Sequence, residues 1–368
     1  MNVPFGRRLS AGFSLVELMI ATLLGVVVIA GIVAMFSGNS RASALVGGQA
    51  RLQENARYAF DFISRGARAA GYFGCGAQPQ NIAKVLVGDW AQLPEFDITR
   101  PIAGHEGHRG GAWSPSLSRL PGGSAGNVNF APGGAIDIGR IVPETDVLVV
   151  RHIQQPGQRL LEPLLPTGDP LITAPRGEPG FDVGDIVMVA DCEQAAVFRV
   201  TDMHIDGARA TLRHVSGAGP FDNAAYLDSP AGLQPSTLSV LDRPYGPEAV
   251  VGAVESTYFF IAPSLHLDSQ GNNPSALWQK VGASGPVELV QGVEDMQLLY
   301  GVDTTLADGV ANPNQYLPFD QVPADVGKIV TVRATLRVNS VDPMADSEQR
   351  LVRTFSKTIA LRNAHSGV

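Results

Sequence analysis

The chain has 368 residues, 45% apolar and 17% charged, with 27 basic against 35 acidic side chains and a formal charge of −8. The apolar fraction excludes wholesale disorder, and the acidic balance excludes a non-specific nucleic-acid binder, which needs a basic footprint. Two cysteines exclude a disulfide-rich scaffold or a four-thiolate zinc site, while 41 glycines and 26 prolines favour strands, turns and long loops over a helical bundle.

Residues 1–12, MNVPFGRRLSAG, are short and polar and carry Arg7 and Arg8. Phe13 to Phe36 follows, 24 residues with a single charge, Glu17. As a helix this run is about 36 Å long, enough to cross a ~30 Å hydrocarbon core. Arg7 and Arg8 would hold the N-terminus in the cytoplasm and leave everything after Phe36 outside. A cleaved secretory signal fits poorly, because AMFSGNSRAS offers no A-x-A-like site. A plain N-terminal anchor is the simplest alternative. Against it stand a small residue, Gly12, just before the run and Glu17 within it, where a carboxylate costs roughly 2.5–3.5 kcal/mol near mid-bilayer.

From Leu45 the pattern turns amphipathic: Leu45, Leu52, Ala56, Ala59, Phe60, Ile63, Ala67 and Ala70 form a helical stripe. One helix from about Phe13 to Ala70 is expected, with weak points at Ser37-Gly38-Asn39 and Gly47-Gly48, and the stripe packing it onto a globular head. Residues 74–142, rich in Gly and Pro, read as long loops with one or two short elements. From about 145 strand signals dominate. They fall at 145–153, 185–190, 196–201, 209–214, 249–261, 276–281, 295–302, 328–340 and 351–361. Val330, Val332, Ala334, Leu336 and Val338 alternate with polar residues, a half-buried strand. One helix on antiparallel sheets is an α+β architecture.

Gly12-Phe13-Ser14-Leu15-Val16-Glu17 resembles the prepilin motif of type IV pilins and type II secretion pseudopilins. The resemblance implies cleavage after Gly12 by a membrane peptidase, retention of the apolar segment, and N-methylation of Phe13. Glu17 then becomes the assembly charge partner: in an apolar filament core its carboxylate and the Phe13 amine of a neighbouring subunit neutralise each other. Further landmarks resemble the PilW family of minor pilins: Ala67 to Cys75, Gly184 to Val187 with Asp191-Cys192 and Val197-Phe198, Val290 to Asp303, and Ile359 to Asn363.

The resemblance implies a pilin-like fold divided into a leader (1–12), a transmembrane or filament-core helix (13–36), a periplasmic amphipathic helix (37–72) and a β-rich head (73–368). It implies a minor pilin that primes pilus assembly near the tip, with twitching motility and cell adhesion as what such pili serve. The alternative is a minor pseudopilin of a type II secretion system. Implied partners are the prepilin peptidase, the inner membrane, other minor pilins, the major pilin and a large tip adhesin, with no nucleic acid. The protein would cross the inner membrane once, head in the periplasm, and become part of the extracellular pilus. Cys75 and Cys192 each lie in a landmark and would face an oxidising compartment, which favours a disulfide; two free buried thiols are the other reading.

No sequence motif supports catalysis: GxSxG, P-loop and HExxH patterns are absent. His105-Glu106-Gly107-His108 reads as part of a glycine-rich loop, with a metal site the lesser alternative. Asp303 to Asp308, in a 303–312 loop, departs from the calcium-loop spacing and reads as a hairpin loop, with calcium the lesser alternative. No cofactor and no resident metal are expected.

Overall fold

The computed structural model describes residues 14–74, 81–84, 86–88, 98, 100–117, 138–154, 156–165, 168–191, 193–215, 221–223, 244–282, 284–305, 312–323, 328–343 and 349–363. A single helix, α1 (Leu15–Ala69), runs unbroken for 55 residues, about 83 Å at ~1.5 Å per residue. The expected weak points do not interrupt it. It stops at Ala70, whose N–H donates to the Ala67 carbonyl, and the chain turns away at Gly71 with φ +71°, a left-handed position that glycine takes without a Cβ penalty.

Beyond the helix come β1 (Asn81–Lys84), β2 (Leu86–Gly88), and the hairpin β3 (Ile102–His108) with β4 (Ala112–Ser114). Next are β5 (Val147–Ile153), β6 (Gln158–Arg159), β7 (Leu171–Thr173), β8 (Ile186–Ala190), β9 (Gln194–Arg199), β10 (Asp202–Asp206), β11 (Arg209–Arg213) and β12 (Phe221–Asn223). The last third holds β13 (Val250–Pro263), β14 (Ser275–Val281), β15 (Val287–Gln291), β16 (Val293–Asp303), β17 (Gln315–Leu317), β18 (Lys328–Asn339) and β19 (Val352–Ala360).

The architecture is α+β, one long N-terminal helix on largely antiparallel sheets. Among the described residues the larger sheet has the path β1-β9-β8-β13-β5-β3-β4, with β14 and β15 continuing from β13. β13 is long enough to serve two partners in succession: Val250 to Ala253 pair with β8, and Thr257 to Pro263 pair with β14. One pairing departs from the antiparallel expectation, since β1 runs parallel to β9. A four-stranded sheet, β17-β16-β18-β19, is wholly antiparallel.

The C-terminal half of α1 packs against both sheets. Leu52, Ala56, Ala59, Phe60, Ile63, Ala67 and Ala70 are buried together with Leu148 and Val150 of β5, Phe259 and Ile261 of β13, and Val332, Ala334 and Leu336 of β18. Fully burying a side chain such as Leu52 or Ile63 stabilises by roughly 1.5–3 kcal/mol, so this face is what fixes the helix to the head. Leu45 departs from the expected stripe and stays exposed. It precedes the point where head and helix meet, at Gly48 against Leu351.

Within the stretch read as long loops with one or two short elements, residues 102–114 form the β3–β4 hairpin. His105-Glu106-Gly107-His108 is strand, so its two histidines, three residues apart, point to opposite faces. His105 is buried and its Nδ1 lies 2.7 Å from the Pro115 carbonyl, whereas His108 is exposed and its Nε2 sits 3.2 Å from Asp320. The glycine-rich loop reading is corrected accordingly, and the pair cannot ligate one ion from these positions.

Candidate assembly interface

The N-terminal half of α1 has nothing packed on it among the described residues. From Leu15 to Phe36 its large apolar side chains are between 53% (Ile20) and 78% (Met35) exposed. By length and composition this stretch could cross a membrane. A continuous apolar surface of this size on every side of a helix is not stable in water and needs a lipid or protein environment to cover it.

At its tip, Ser14 and Glu17 form a reciprocal cap. The Ser14 N–H donates to Glu17 Oε2 at 2.9 Å, and the Glu17 N–H donates to Ser14 Oγ at 3.2 Å. A carboxylate in the first turn also complements the positive end of the helix dipole. The S-x-x-E spacing that announces this cap is in the sequence, from Ser14 to Glu17. One carboxylate oxygen, Oε1, is not used by the cap. Gly12 and Phe13 lie outside the described residues.

The helix is fastened at both ends of its packed half. Near the head's base, the Asn55 side chain donates to the Gln291 carbonyl at 3.1 Å, and Arg51 pairs with Asp342 at 3.4 Å. The other oxygen of Asp342 accepts the Ser269 N–H at 2.9 Å. Asp268 accepts the N–H groups of Gln270 and Asn272 and pairs with Arg350; the Asn272 N–H, foremost, holds its carboxyl below the usual range. At the top, Asn363 Nδ2 donates to the Ala70 carbonyl at 3.0 Å, and the Gly71 N–H donates to the Arg151 carbonyl. Two sequence landmarks from opposite ends of the chain, 67–75 and 359–363, thus meet at the end of α1.

Behind the helix one buried carboxylate joins the sheets. Asp146 Oδ1 accepts the Gly107 N–H of β3 at 2.9 Å and Oδ2 accepts the Leu298 N–H of β16 at 2.7 Å. Burial pushes its carboxyl up to about 7, with Glu106 and Asp295 adding to the rise against the two N–H donors. No residue pattern in the sequence singled Asp146 out.

Residues 259–359 match the PilW family model, type IV pilus-assembly protein W. The resemblance to PilW drawn from the sequence is borne out over this region, a little over a quarter of the chain. The match spans the 290–303 landmark and reaches Ile359, and it contains β14 to β18, most of β19 and the last five residues of β13. The PilW region therefore supplies the four-stranded sheet and the Phe259 contact on which α1 lies. No curated protein and no solved structure matches the chain.

Cys75 and Cys192 lie outside the described residues, as do residues 306–311 of the 303–312 loop. Asp303, at the start of that loop, is buried and its carboxylate accepts the N–H groups of Thr305 and Asn312 and the Thr305 hydroxyl, which makes it a loop cap. Among the described residues no group of three or more His, Cys, Asp or Glu is placed to hold a metal ion.

Proposed function

We propose that this chain is a minor pilin, a structural subunit that helps prime assembly of a type IV pilus and takes a place near its tip. One observation carries the reading: the exposed apolar half of α1 is continuous with the half packed onto the PilW-matching sheet. Such a helix lies in the bilayer before assembly and in the apolar core of a filament afterwards, and both environments remove it from water.

The supporting chemistry is at the N-terminus. Cleavage after Gly12 frees the Phe13 amine, whose methylation preserves its charge. Glu17 offers that amine, on a neighbouring subunit, a carboxylate with an oxygen to spare. Residues 13–36 then form the filament-core segment, 37–72 the helix that carries the head, and 73–368 the head itself. Arg7 and Arg8 orient the precursor with its head in the periplasm. The partners on this reading are the prepilin peptidase, other minor pilins, the major pilin and a tip adhesin, and the role is structural rather than catalytic.

The test is deletion of the gene, with surface pili counted and protein secretion assayed in the same strain. Loss of pili with secretion intact supports the reading. Intact pili with lost secretion would replace it with a pseudopilin of type II secretion. Mass spectrometry of the membrane-extracted protein should place the N-terminus at Phe13 with the mass of one added methyl group, and an intact Met1 terminus in a peptidase-positive strain would sink the processing step.

A further inference from the structure

The strand β19 closes the four-stranded sheet and has only β18 beside it among the described residues. Its register on β18 runs from Asn339↔Val352 to Thr331↔Ala360. Just beyond the two ends, the Ser340 N–H donates to the Leu351 carbonyl at 2.9 Å and the Leu361 N–H to the Val330 carbonyl at 3.0 Å. In an antiparallel pair the residues that exchange such bonds alternate. Arg353, Phe355, Lys357 and Ile359 therefore spend their backbone groups on β18. Val352, Thr354, Ser356, Thr358 and Ala360 turn theirs outward, a row of donors and acceptors about 30 Å long at ~3.4 Å per residue. Seven of the nine residues of β19 are exposed, so the helix that packs on this sheet does not cover the row.

Long flat edges of this kind are usually blunted, because they template pairing with any other chain. Here the blunting is selective by charge. Arg353 and Lys357 lie four residues apart on one face of the strand, on either side of Phe355, and among the described residues their side chains make no ion pair or hydrogen bond. Three basic side chains nearby are engaged: Arg337 pairs with Glu294 at 3.0 Å, Arg350 pairs with Asp268, and Arg333 stacks over Tyr316 at 4.0 Å. Arg353 and Lys357 therefore set two positive charges beside the open edge of a protein whose net charge is −8. A second copy pairing antiparallel about Phe355 would set Arg353 against Lys357, like charge against like, which disfavours self-association.

We propose that β19 is a docking edge for an extended segment of another protein, added as a fifth strand, that carries acidic side chains four residues apart around an apolar one. The outward backbone groups supply the affinity of such strand addition, and the Arg353, Phe355 and Lys357 side chains supply its selectivity. The acidic pair meets the two cations and the apolar residue between them meets Phe355.

The test uses the full chain in detergent and a seven-residue synthetic peptide, Thr-Glu-Thr-Val-Thr-Glu-Thr, with a control in which lysine replaces both glutamates. Amide exchange read residue by residue should show that the glutamate peptide protects Thr354, Ser356 and Thr358, and that the lysine peptide does not. The double variant Arg353→Glu, Lys357→Glu should weaken the glutamate peptide about tenfold, the worth of two screened surface pairs, and should admit the lysine peptide. Ser356→Pro removes an outward N–H and leaves every backbone bond to β18 in place, losing only the hydroxyl that accepts from Thr335 Oγ1 at 3.2 Å, so the sheet should keep its exchange protection while peptide binding is lost; Ser356→Ala, which loses that hydroxyl alone, should bind the peptide as the unchanged chain does. Unchanged peptide binding in Ser356→Pro, or no protection of β19 by the glutamate peptide, would overturn the proposal. Concentration-dependent dimerisation that protects the same amides without peptide would also overturn it, by making a second copy the occupant.

Discussion

Gly66 of α1 sits directly on the ring of Phe259 in β13: a β-carbon added at Gly66 would lie 2.5 Å from Cε2 and 2.7 Å from Cζ. The helix comes this close to the sheet because glycine has no side chain there. Phe259 is fully buried and also opens the PilW-matching region, so the contact joins the apolar helix to the matched sheet.

Gly66→Ala should therefore destabilise the protein although alanine is the better helix former by about 1 kcal/mol. Real β-carbons do not tolerate such a distance, and the ring has little room to move in a filled core. The expected net loss is about 1–3 kcal/mol, the usual cost of overpacking, read as a lower urea midpoint for the full chain in detergent. Equal or higher stability would mean that Phe259 yields freely and that the helix is not seated by this contact.

Stability should also depend on pH through Asp146. In the unfolded chain an aspartate titrates near ~4, whereas burial in the fold pushes this one up to about 7. Between those values the unfolded chain has released a proton that the folded chain keeps. Stability is therefore greatest below about 4 and falls as pH rises towards 7, by at most roughly 4 kcal/mol from this group. Asp146→Asn should flatten that slope between pH 4 and 7, at a cost where its amide NH₂ faces the N–H of Gly107 or Leu298. An Asp146→Asn profile parallel to the wild-type one would assign the slope to other groups.

The described residues flanking Cys75 and Cys192 approach one strand, and the cysteines themselves lie outside the described residues. An added β-carbon at Gly74 would lie 3.0 Å from Val250 Cβ, and Val250 pairs with Ala190. The chain just before Cys75 and the strand just before Cys192 thus converge on β13. If the cysteines are bridged, unreduced protein should run faster on a gel than reduced protein, and Cys75→Ser should abolish the difference. A bridge closing about 117 residues is worth up to about 4–5 kcal/mol on the entropic account. Full thiol labelling of denatured, unreduced protein would refute it.

What the sequence made legible was whatever depends on short-range periodicity. The alternation at 330–338 places Val330, Val332, Ala334, Leu336 and Val338 in the core, as observed. The stripe from Leu52 to Ala70 did the same for the helix. The β3 strand was hidden because Ile-Ala-Gly-His-Glu-Gly-His has a single β-branched residue and two glycines. Those glycines answer tertiary demands: a β-carbon at Gly107 would meet the Thr145 carbonyl oxygen at 2.6 Å, and Gly104 leaves space for the Tyr300 hydroxyl. The strand exists because β5 and β4 pair with it, a cause outside any local window. Asp146 escaped for the same reason, since its two donors come from residues 107 and 298.

Glu17 caps the helix and, on the proposed reading, pairs across subunits, and substitutions should separate the two. Its carboxylate caps the helix by accepting the Ser14 N–H, and on the proposed reading it also meets the Phe13 amine of a neighbouring subunit. Glu17→Gln keeps an oxygen for the cap and loses the charge. Glu17→Ala loses both, and removing the cap costs the helix about 1 kcal/mol at its first turn. Neither change affects the apolar run that inserts the helix or the distant head. Both variants should insert, be processed after Gly12, and keep the head's thermal midpoint. If charge pairing sets the register, both should fail to co-purify with the other minor pilins and should lower pilus counts, with Glu17→Gln nearly as defective as Glu17→Ala. If the cap is what matters, Glu17→Gln should approach wild type while Ser14→Ala reproduces the Glu17→Ala defect. Wild-type co-purification and pilus numbers in Glu17→Ala would remove Glu17 from assembly altogether.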